Sequence, residues 1–238
     1  MEINAQFRDT TLSSTDFATV LNRLGNVIDS MAEKHHELGK NRWCLKGDSP
    51  AEATLYPAFD GNKPSSAALA VLKEEFRNAP NQTYVSIWDG NETTVAGVSM
   101  VCHIGRPGKL NSFAIEMVGE HGVCDFETIT GTVTRAAQEF NPAYAEVSPA
   151  EYFEKRVFDD KPGVGWMLYL PKIITVQQVP EARALIPVRD ASGKQTGTII
   201  VSVTDAVFSA DNSEHVEIAN RIEIRLVDQD LLPRYADL

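Results

Sequence analysis

The sequence predicts an α+β fold in which helices pack on a mixed, mainly antiparallel sheet, within a single domain over residues 1–238. Three observations lead to this prediction. Apolar residues recur every three to four positions in several separate segments, which is the spacing of amphipathic helices. Apolar runs of strand length follow one another in groups joined by short turns. The regular alternation of strand and helix that a doubly wound fold requires is missing.

The first helical pattern runs from about Ser14 to Leu38. Its apolar residues share one narrow stripe, formed by Phe17, Leu21, Leu24, Ile28 and Met31. Ser14 or Thr15 is expected to cap this helix and Gly39 to end it. His35 continues the stripe, and we expect it to complete the packed face rather than to bind a ligand.

A connection with little regular structure is expected over residues 41–63, because glycines and prolines are scattered through it. The next helix is expected from Ser66 to Asn78, with Ser65 or Ser66 as its cap. A three-stranded antiparallel meander should then follow, because Asp-Gly between apolar runs favours a hairpin. Its strands are expected at Tyr84–Trp88, Thr94–Ile104 and Phe113–Val118.

A helix from Asp125 to Phe140 is predicted next, with Asp125 as its cap. A short strand over Tyr144–Val147 should follow it. Ser148 then opens a short helix in a capping-box pattern, in which Glu151 is the third residue after the cap.

Residues 162–171, PGVGWMLYLP, are too apolar and too tightly bracketed by glycine and proline for an ordinary loop. We predict a buried strand here, in which Gly163 and Gly165 let the backbone approach a neighbour closely. A strand pair around Ile186 and Ile199 is expected to follow, joined by a turn at residues 190–193.

The last helix is expected from Ser213 to Leu231 and should be largely buried. At 100° per residue its polar side chains form one stripe: Glu214, Glu217, Arg221, Arg225 and Asp228. Because Glu217 and Arg221 are four residues apart, this stripe is expected to be a solvated face that pairs with itself.

The apolar decapeptide, taken with residues 184–188, 197–203 and 210–232, resembles the immunity protein 52 family, most clearly from about residue 142 onward. That resemblance implies a bacterial antitoxin encoded beside a restriction-endonuclease-like toxin, as in interbacterial competition by type VI secretion. It implies a cognate nuclease toxin as the protein partner. No catalytic motif carries over from the family to this chain.

The net charge of −11 is unevenly spread: residues 115–160 hold ten acidic and three basic side chains, and residues 205–238 hold eight and three. Such an acidic chain is unsuited to binding nucleic acid, whose phosphates require lysine and arginine. It is suited to attracting a basic protein. Three widely spaced cysteines favour a reducing, cytoplasmic setting, and no apolar run is long enough for a membrane span.

Motifs for catalysis or cofactor binding are not found. The sequence has no Gly-x-Ser-x-Gly elbow and no phosphate-binding glycine loop. Zinc-type ligands occur at Cys102, His103, His121 and Cys124, but the first two are adjacent in a predicted strand and should point to opposite faces. The acidic pairs Glu74-Glu75 and Asp159-Asp160 are adjacent in polar stretches, which does not drive two pKa values apart as acid-base catalysis requires, and Asp159-Asp160 is expected to be exposed. We therefore expect no catalytic residue, cofactor or metal.

The candidate toxin-binding residues lie in the most acidic segment, beside the predicted buried strand: Glu146, Glu151, Tyr152, Phe153, Glu154, Asp159 and Asp160. The two aromatic residues are candidate anchors and the acidic ones would meet a basic partner. Two alternatives remain open at this point. One is an enzyme of unrecognised type with a pocket near Cys102 or Trp166, and the other is an adaptor of the secretion machinery. The sequence does not fix the oligomeric state.

Overall fold

A computed structural model of the chain describes residues 1–47, 49, 52–91, 96–119 and 123–238. The chain divides into two compact units: an N-terminal unit, Gln6–Cys124, and a C-terminal unit, which combines Met1–Ala5 with Asp125–Leu238. Strand β1, Glu2–Arg8, contributes residues to each of them. Helices and a mainly antiparallel sheet confirm the α+β class. A single domain over residues 1–238 stays a prediction.

The N-terminal unit contains two α-helices, six further strands and two short 3₁₀ turns within its described residues. They are α1 (Phe17–Ala32), the 3₁₀ turns His36–Leu38 and Lys40–Arg42, β2 (Cys44–Leu45), β3 (Phe59–Asp60), β4 (Lys63–Pro64), α2 (Ser66–Glu75), β5 (Thr83–Trp88), β6 (Gly97–Ile104) and β7 (Leu110–Val118). Strands β7, β6, β5 and β2 are neighbours in that order and pair antiparallel. The expected connection over residues 41–63 therefore holds three short strands.

Helix α1 buries the predicted apolar stripe but is shorter than predicted at both ends. Its cap is Asp16, whose carboxylate accepts a hydrogen bond from the Thr19 backbone N–H at 3.1 Å. Ser14 does not cap the helix because its hydroxyl donates to the Pro80 carbonyl instead. His35 lies beyond the helix, with its ring Nδ1 3.4 Å from the Glu37 carboxylate, so it does not extend the buried stripe.

The meander is confirmed, with strand pairs β5–β6 and β6–β7 in antiparallel register. The predicted beginning of its second strand, Thr94, lies outside the described residues, and β6 begins at Gly97. Cys102 is fully buried whereas His103 is exposed, so the two side chains point to opposite faces as expected. The cap of α2 is also confirmed, since the Ser65 hydroxyl accepts from the Ala68 N–H at 3.0 Å.

The C-terminal unit contains two α-helices, four further strands and two 3₁₀ turns. They are α3 (Phe126–Phe140), β8 (Tyr144–Ser148), the 3₁₀ turn Ala150–Glu154, β9 (Met167–Leu170), β10 (Ala184–Arg189), β11 (Gln195–Val201), α4 (Ser213–Asp228) and the 3₁₀ turn Tyr235–Asp237. The strand order is β10, β11, β9, β8, with antiparallel pairing throughout. Helix α3, capped by Asp125 as predicted, packs against β10 and β11.

The apolar decapeptide is buried from Pro162 to Leu170, as expected, but only Met167–Leu170 is strand. The preceding residues approach β8 closely. Gly165 has φ +50°, and a Cβ atom built on it would lie 2.7 Å from the Val147 carbonyl oxygen. The next residue, Trp166, donates its backbone N–H to that same carbonyl at 2.8 Å. The glycine is therefore required both by its backbone angle and by the lack of space.

Two predictions about the C-terminal unit are wrong. Ser148 does not cap the turn at Ala150–Glu154, because Ser148 is still the last residue of β8 and Pro149 occupies the cap position. Helix α4 is not largely buried: it ends at Asp228 and buries only one face, while Ile224 is 45% exposed. The rest of the unit covers a single side of the helix. Its polar stripe is confirmed, since Arg221 contacts Glu217.

We predict opposite stability effects from alanine at two glycines of the C-terminal unit. Gly165→Ala should lower the free energy of unfolding by about 2 kcal/mol or more, because of the positive φ and the collision with Val147. Gly131→Ala should raise it by about 0.5–1 kcal/mol, because Gly131 lies inside α3 with open space around its Cα. Urea denaturation measures both. Equal effects of the two substitutions would contradict the close approach described here.

Candidate functional site

A cavity of about 700 Å³ opens in the C-terminal unit beside the 3₁₀ turn Ala150–Glu154. We call it the acidic cavity because five carboxylates and two cationic side chains line it. The carboxylates belong to Glu2, Glu146, Glu151, Glu154 and Asp211, and the cations to Lys155 and Arg156. Carboxylates thus outnumber cations around an opening of the size that proteins use for binding.

Five of the seven candidate residues from the sequence line this cavity: Glu146, Glu151, Tyr152, Phe153 and Glu154. Glu151 and Glu154 are exposed, and Phe153 between them is 63% exposed. Asp159 and Asp160 are exposed as expected but do not line the cavity. The structure therefore brings most of the candidate residues together.

Tyr152 differs from the expectation of a surface anchor. It is 2% exposed, and its hydroxyl donates a hydrogen bond to Glu223 Oε1 at 2.6 Å. Burial, followed by the nearby Glu223 charge, raises the pKa of this hydroxyl above its usual range. Because the turn at Ala150–Glu154 directs this ring inward, Tyr152 supports the cavity wall from beneath.

Glu223 on α4 is the functional residue that the sequence reasoning missed. It is 1% exposed. Besides Tyr152, it accepts backbone N–H groups from Val164, at 2.9 Å to Oε1, and from Val157, at 2.8 Å to Oε2. Burial raises its pKa, and these hydrogen bonds oppose the rise. A signal for it was present, since Glu223 falls on the side of α4 opposite Glu214 and the polar stripe.

Glu146, on β8, places a half-buried carboxylate at the cavity. Its Oε2 accepts the Gly163 backbone N–H at 3.0 Å. Burial raises its pKa to about 7, although the Gly163 hydrogen bond and the Arg156 charge oppose the rise. Within the described part of the chain, Glu146 makes this one hydrogen bond and no ion pair.

Arg156 fixes the segment that follows the turn. Its guanidinium stacks 3.9 Å from the centre of the Phe153 ring. One terminal nitrogen donates to the Tyr235 hydroxyl at 3.0 Å, and the other donates to the Asp159 carbonyl at 3.1 Å. Its Nε is buried and has no hydrogen-bond partner among the described residues. Arg156 therefore joins the cavity rim to the 3₁₀ turn Tyr235–Asp237.

The other sequence candidates do not form a site. Burial raises the pKa of the Cys102 thiol to about 12, so it stays protonated. Cys124 is half-buried, and His121 lies outside the described residues. Over the described ranges, no group of three His, Cys, Asp or Glu side chains is arranged to hold a metal ion. Trp166 is fully buried, and its indole N–H donates to the Val203 carbonyl at 2.9 Å.

No helix among the described residues combines the length and the apolar character needed to cross a bilayer.

Removing the Glu223 carboxylate should destabilise the protein strongly. Glu223→Ala leaves one hydroxyl and two backbone N–H donors without their acceptor, and we expect a loss of about 3 kcal/mol or more in the free energy of unfolding. Glu217→Ala on the exposed stripe of the same helix is the matched control, with an expected change within about 0.5 kcal/mol. Chemical denaturation compares them. Similar losses for both would mean that Glu223 does not organise this region.

Glu146→Gln should stabilise the protein in a pH-dependent way. Folding raises the pKa of this carboxyl, so its contribution to stability is fully present below the unfolded-state pKa and is lost as pH rises through about 7. Glutamine is never charged, and its carbonyl can still accept from Gly163. We expect its stability advantage to grow by on the order of 2 kcal/mol between about pH 5 and about pH 8.5. A constant difference across that range in denaturation curves would contradict the raised pKa.

Comparison with known proteins places the chain in a family. The fold is similar to that of the Pseudomonas aeruginosa T6SS protein PA0821, with a TM-score of 0.54 at 11% sequence identity. The similarity covers 95% of this chain and 75% of that one. No curated protein sequence matches this chain. The sequence profile of immunity protein 52 matches residues 17–234, which confirms the resemblance inferred from the sequence, and the chain belongs to the immunity protein 52 family.

Proposed function

We propose that this chain is an antitoxin that binds a cognate toxin directly and neutralises it. The toxin would be a restriction-endonuclease-like nuclease delivered by type VI secretion, and binding would occur in the cytoplasm of the protected cell. Membership of the immunity protein 52 family supports a toxin partner. The free cysteines are compatible with a reducing compartment.

The observation that carries this proposal is the grouping of exposed acidic side chains around a cavity with an exposed aromatic rim. Glu151 and Glu154 flank Phe153 on the turn, and Asp159 and Asp160 follow within the same segment. We call the four acidic residues the acidic surface. A nuclease grips phosphates with lysine and arginine, so its substrate groove is basic. An acidic surface is attracted to such a groove, and the bound protein excludes the nucleic acid.

Inhibition by occupancy fits the chemistry of the site better than catalysis does. Glu223 and Tyr152 are buried and bound to each other, so neither is presented to a substrate. Glu146 is a half-buried carboxylate of the cavity lining and accepts one backbone hydrogen bond. The most direct inhibitory action of this arrangement is to cover the active site or the DNA path of the toxin.

Neutralising the acidic surface should slow association with the toxin. The variant carries Glu151→Gln, Glu154→Gln, Asp159→Asn and Asp160→Asn, and the partner is the toxin encoded by the adjacent gene. We expect the association rate at low salt to fall roughly tenfold or more, and the salt dependence of binding to become shallower. Stopped-flow association and calorimetry at two salt concentrations measure these quantities.

The matched control removes four exposed carboxylates elsewhere, through Glu33→Gln, Glu74→Gln, Asp205→Asn and Asp228→Asn. Its net charge equals that of the first variant. A smaller decrease in its association rate would show that the location of the removed charges matters, and not only their number. Equal slowing by both variants would reject this surface as the docking site. Failure of the native chain to bind the toxin, or to rescue growth of cells that express it, would reject the proposed function itself.

A further inference from the structure

The acidic cavity contains negative charge that its own cations do not neutralise. Lys155 Nζ donates to the Ala210 carbonyl at 2.7 Å and lies 3.9 Å from the Asp211 carboxylate. Arg156 is engaged with Tyr235 and with the Asp159 carbonyl. Among the described residues, neither cation of the lining forms a hydrogen bond or ion pair with Glu146, although the Arg156 charge acts on it from a distance.

We propose that the acidic cavity receives one basic side chain of the toxin, an arginine or a lysine, and that the Glu146 carboxylate pairs with its charge. This inference rests on the proposed function, because the toxin supplies the side chain. The proposed function involves a general attraction between an acidic and a basic surface. This inference adds one specific ion pair, between Glu146 and a basic side chain of the toxin.

The first argument is the unsatisfied state of Glu146. Its Oε2 is held by the Gly163 N–H, and its other oxygen has no hydrogen bond among the described residues. Glu146 is half-buried, and carboxylates that are withdrawn from water are ordinarily paired with a cation or bonded by several donors. Glu223, in the same unit, shows the satisfied arrangement with three donors. Glu146 lacks such partners, and an incoming guanidinium or ammonium group would supply them.

The second argument is the shape and chemistry of the rim. Phe153 is 63% exposed, and one face of its ring already stacks on the Arg156 guanidinium. Long basic side chains combine an apolar stem with a charged head, so the stem can lie against an aromatic ring while the head reaches a half-buried carboxylate. Glu151 and Glu154 are exposed on the same turn and would favour the approach of a cation.

The third argument is the energetic cost of Glu146 in the free protein. Its pKa is raised to about 7, so a charged carboxylate at this position works against folding above that pH. Besides burial, Gly163 and Arg156 lower its pKa, and Glu223 and Glu2 raise it further. The hydroxyls of Tyr144, Tyr152 and Tyr235 share the same electrostatic environment. A carboxylate kept at a destabilising position is typical of a functional site.

The first experiment tests the cavity without the toxin. N-acetyl-arginine amide and N-acetyl-lysine amide are titrated into the ¹⁵N-labelled full-length chain, and the backbone amide of Gly163 is followed by NMR. N-acetyl-citrulline amide, which has the shape of the arginine probe but no charge, is the matched control. We expect a saturable shift of the Gly163 resonance with at least one cationic probe and none with citrulline. The two cationic probes distinguish arginine from lysine.

Two variants and one control test whether the cationic probe binds in the acidic cavity. Glu146→Gln should abolish the Gly163 shift. Ala150→Phe should weaken it, because Ala150 is exposed at the cavity lining and a larger side chain there narrows the opening while Glu146 is retained. Glu33→Gln, in the N-terminal unit, should bind the probe like the native chain. Thermal unfolding checks that each variant is folded. Equal shifts with citrulline, or an unchanged response in Glu146→Gln, would overturn the inference.

The second experiment separates this inference from the proposed function. If the toxin places a basic side chain on Glu146, Glu146→Gln should weaken toxin binding by about thirtyfold or more, mainly through faster dissociation. Tight toxin binding by the native chain with unchanged binding by Glu146→Gln would overturn the inference and leave the proposed function standing. Absence of toxin binding by the native chain would overturn the proposed function, while the amide probes still report on the cavity.

Discussion

The arrangement of the C-terminal unit depends on one buried carboxylate, that of Glu223. Its two oxygens accept hydrogen bonds from the Tyr152 hydroxyl and from the backbone N–H groups of Val157 and Val164. Burying a carboxylate is expensive unless donors replace the water it loses. For Glu223, three donors from three different segments of the chain replace that water. The 3₁₀ turn, the segment after it and the apolar decapeptide are thereby held against α4.

The cavity is a consequence of that arrangement. Tyr152 is drawn inward, which leaves its neighbours Glu151 and Phe153 facing outward on the same turn. Gly163 lies between Glu146, whose carboxylate accepts its N–H, and Glu223, whose Oε1 would lie 3.4 Å from a Cβ atom at this position. The buried Glu223 and the half-buried Glu146 therefore lie on either side of one short stretch of backbone. Glu223 accepts three hydrogen bonds, whereas Glu146 accepts one.

Long-range and short-range interactions have different roles in such a site. Exposed carboxylates in water contribute little binding free energy but raise the rate at which a basic partner arrives. A buried carboxylate contributes through its direct partner and changes the rate of dissociation. In the proposed function, the acidic surface and Glu146 would provide these two kinds of interaction within one segment of the chain. Membership of the immunity protein 52 family implies a toxin partner for them to meet.

Local patterns in the sequence determined much of the fold. The stripe of α1, the Asp125 cap, the meander and the Ile186–Ile199 pairing all follow from the spacing of side chains within a few residues of one another, and the structure confirms them. Membership of the family was also readable from the sequence, because the apolar decapeptide and the strands after it carry the resemblance.

Only the tertiary structure decided which polar groups are buried and where the helices end. Tyr152 and Glu223 are 71 residues apart, so no local pattern could show that the first is withdrawn from the surface to bond the second. Ser14 bonds to Pro80 instead of capping α1, again through a distant residue. The cavity around Glu146 is likewise lined by residues that are far apart in the sequence, from Glu2 to Asp211. Burial and hydrogen bonding depend on the groups that the fold brings together, whereas periodicity depends only on the order of residues along the chain.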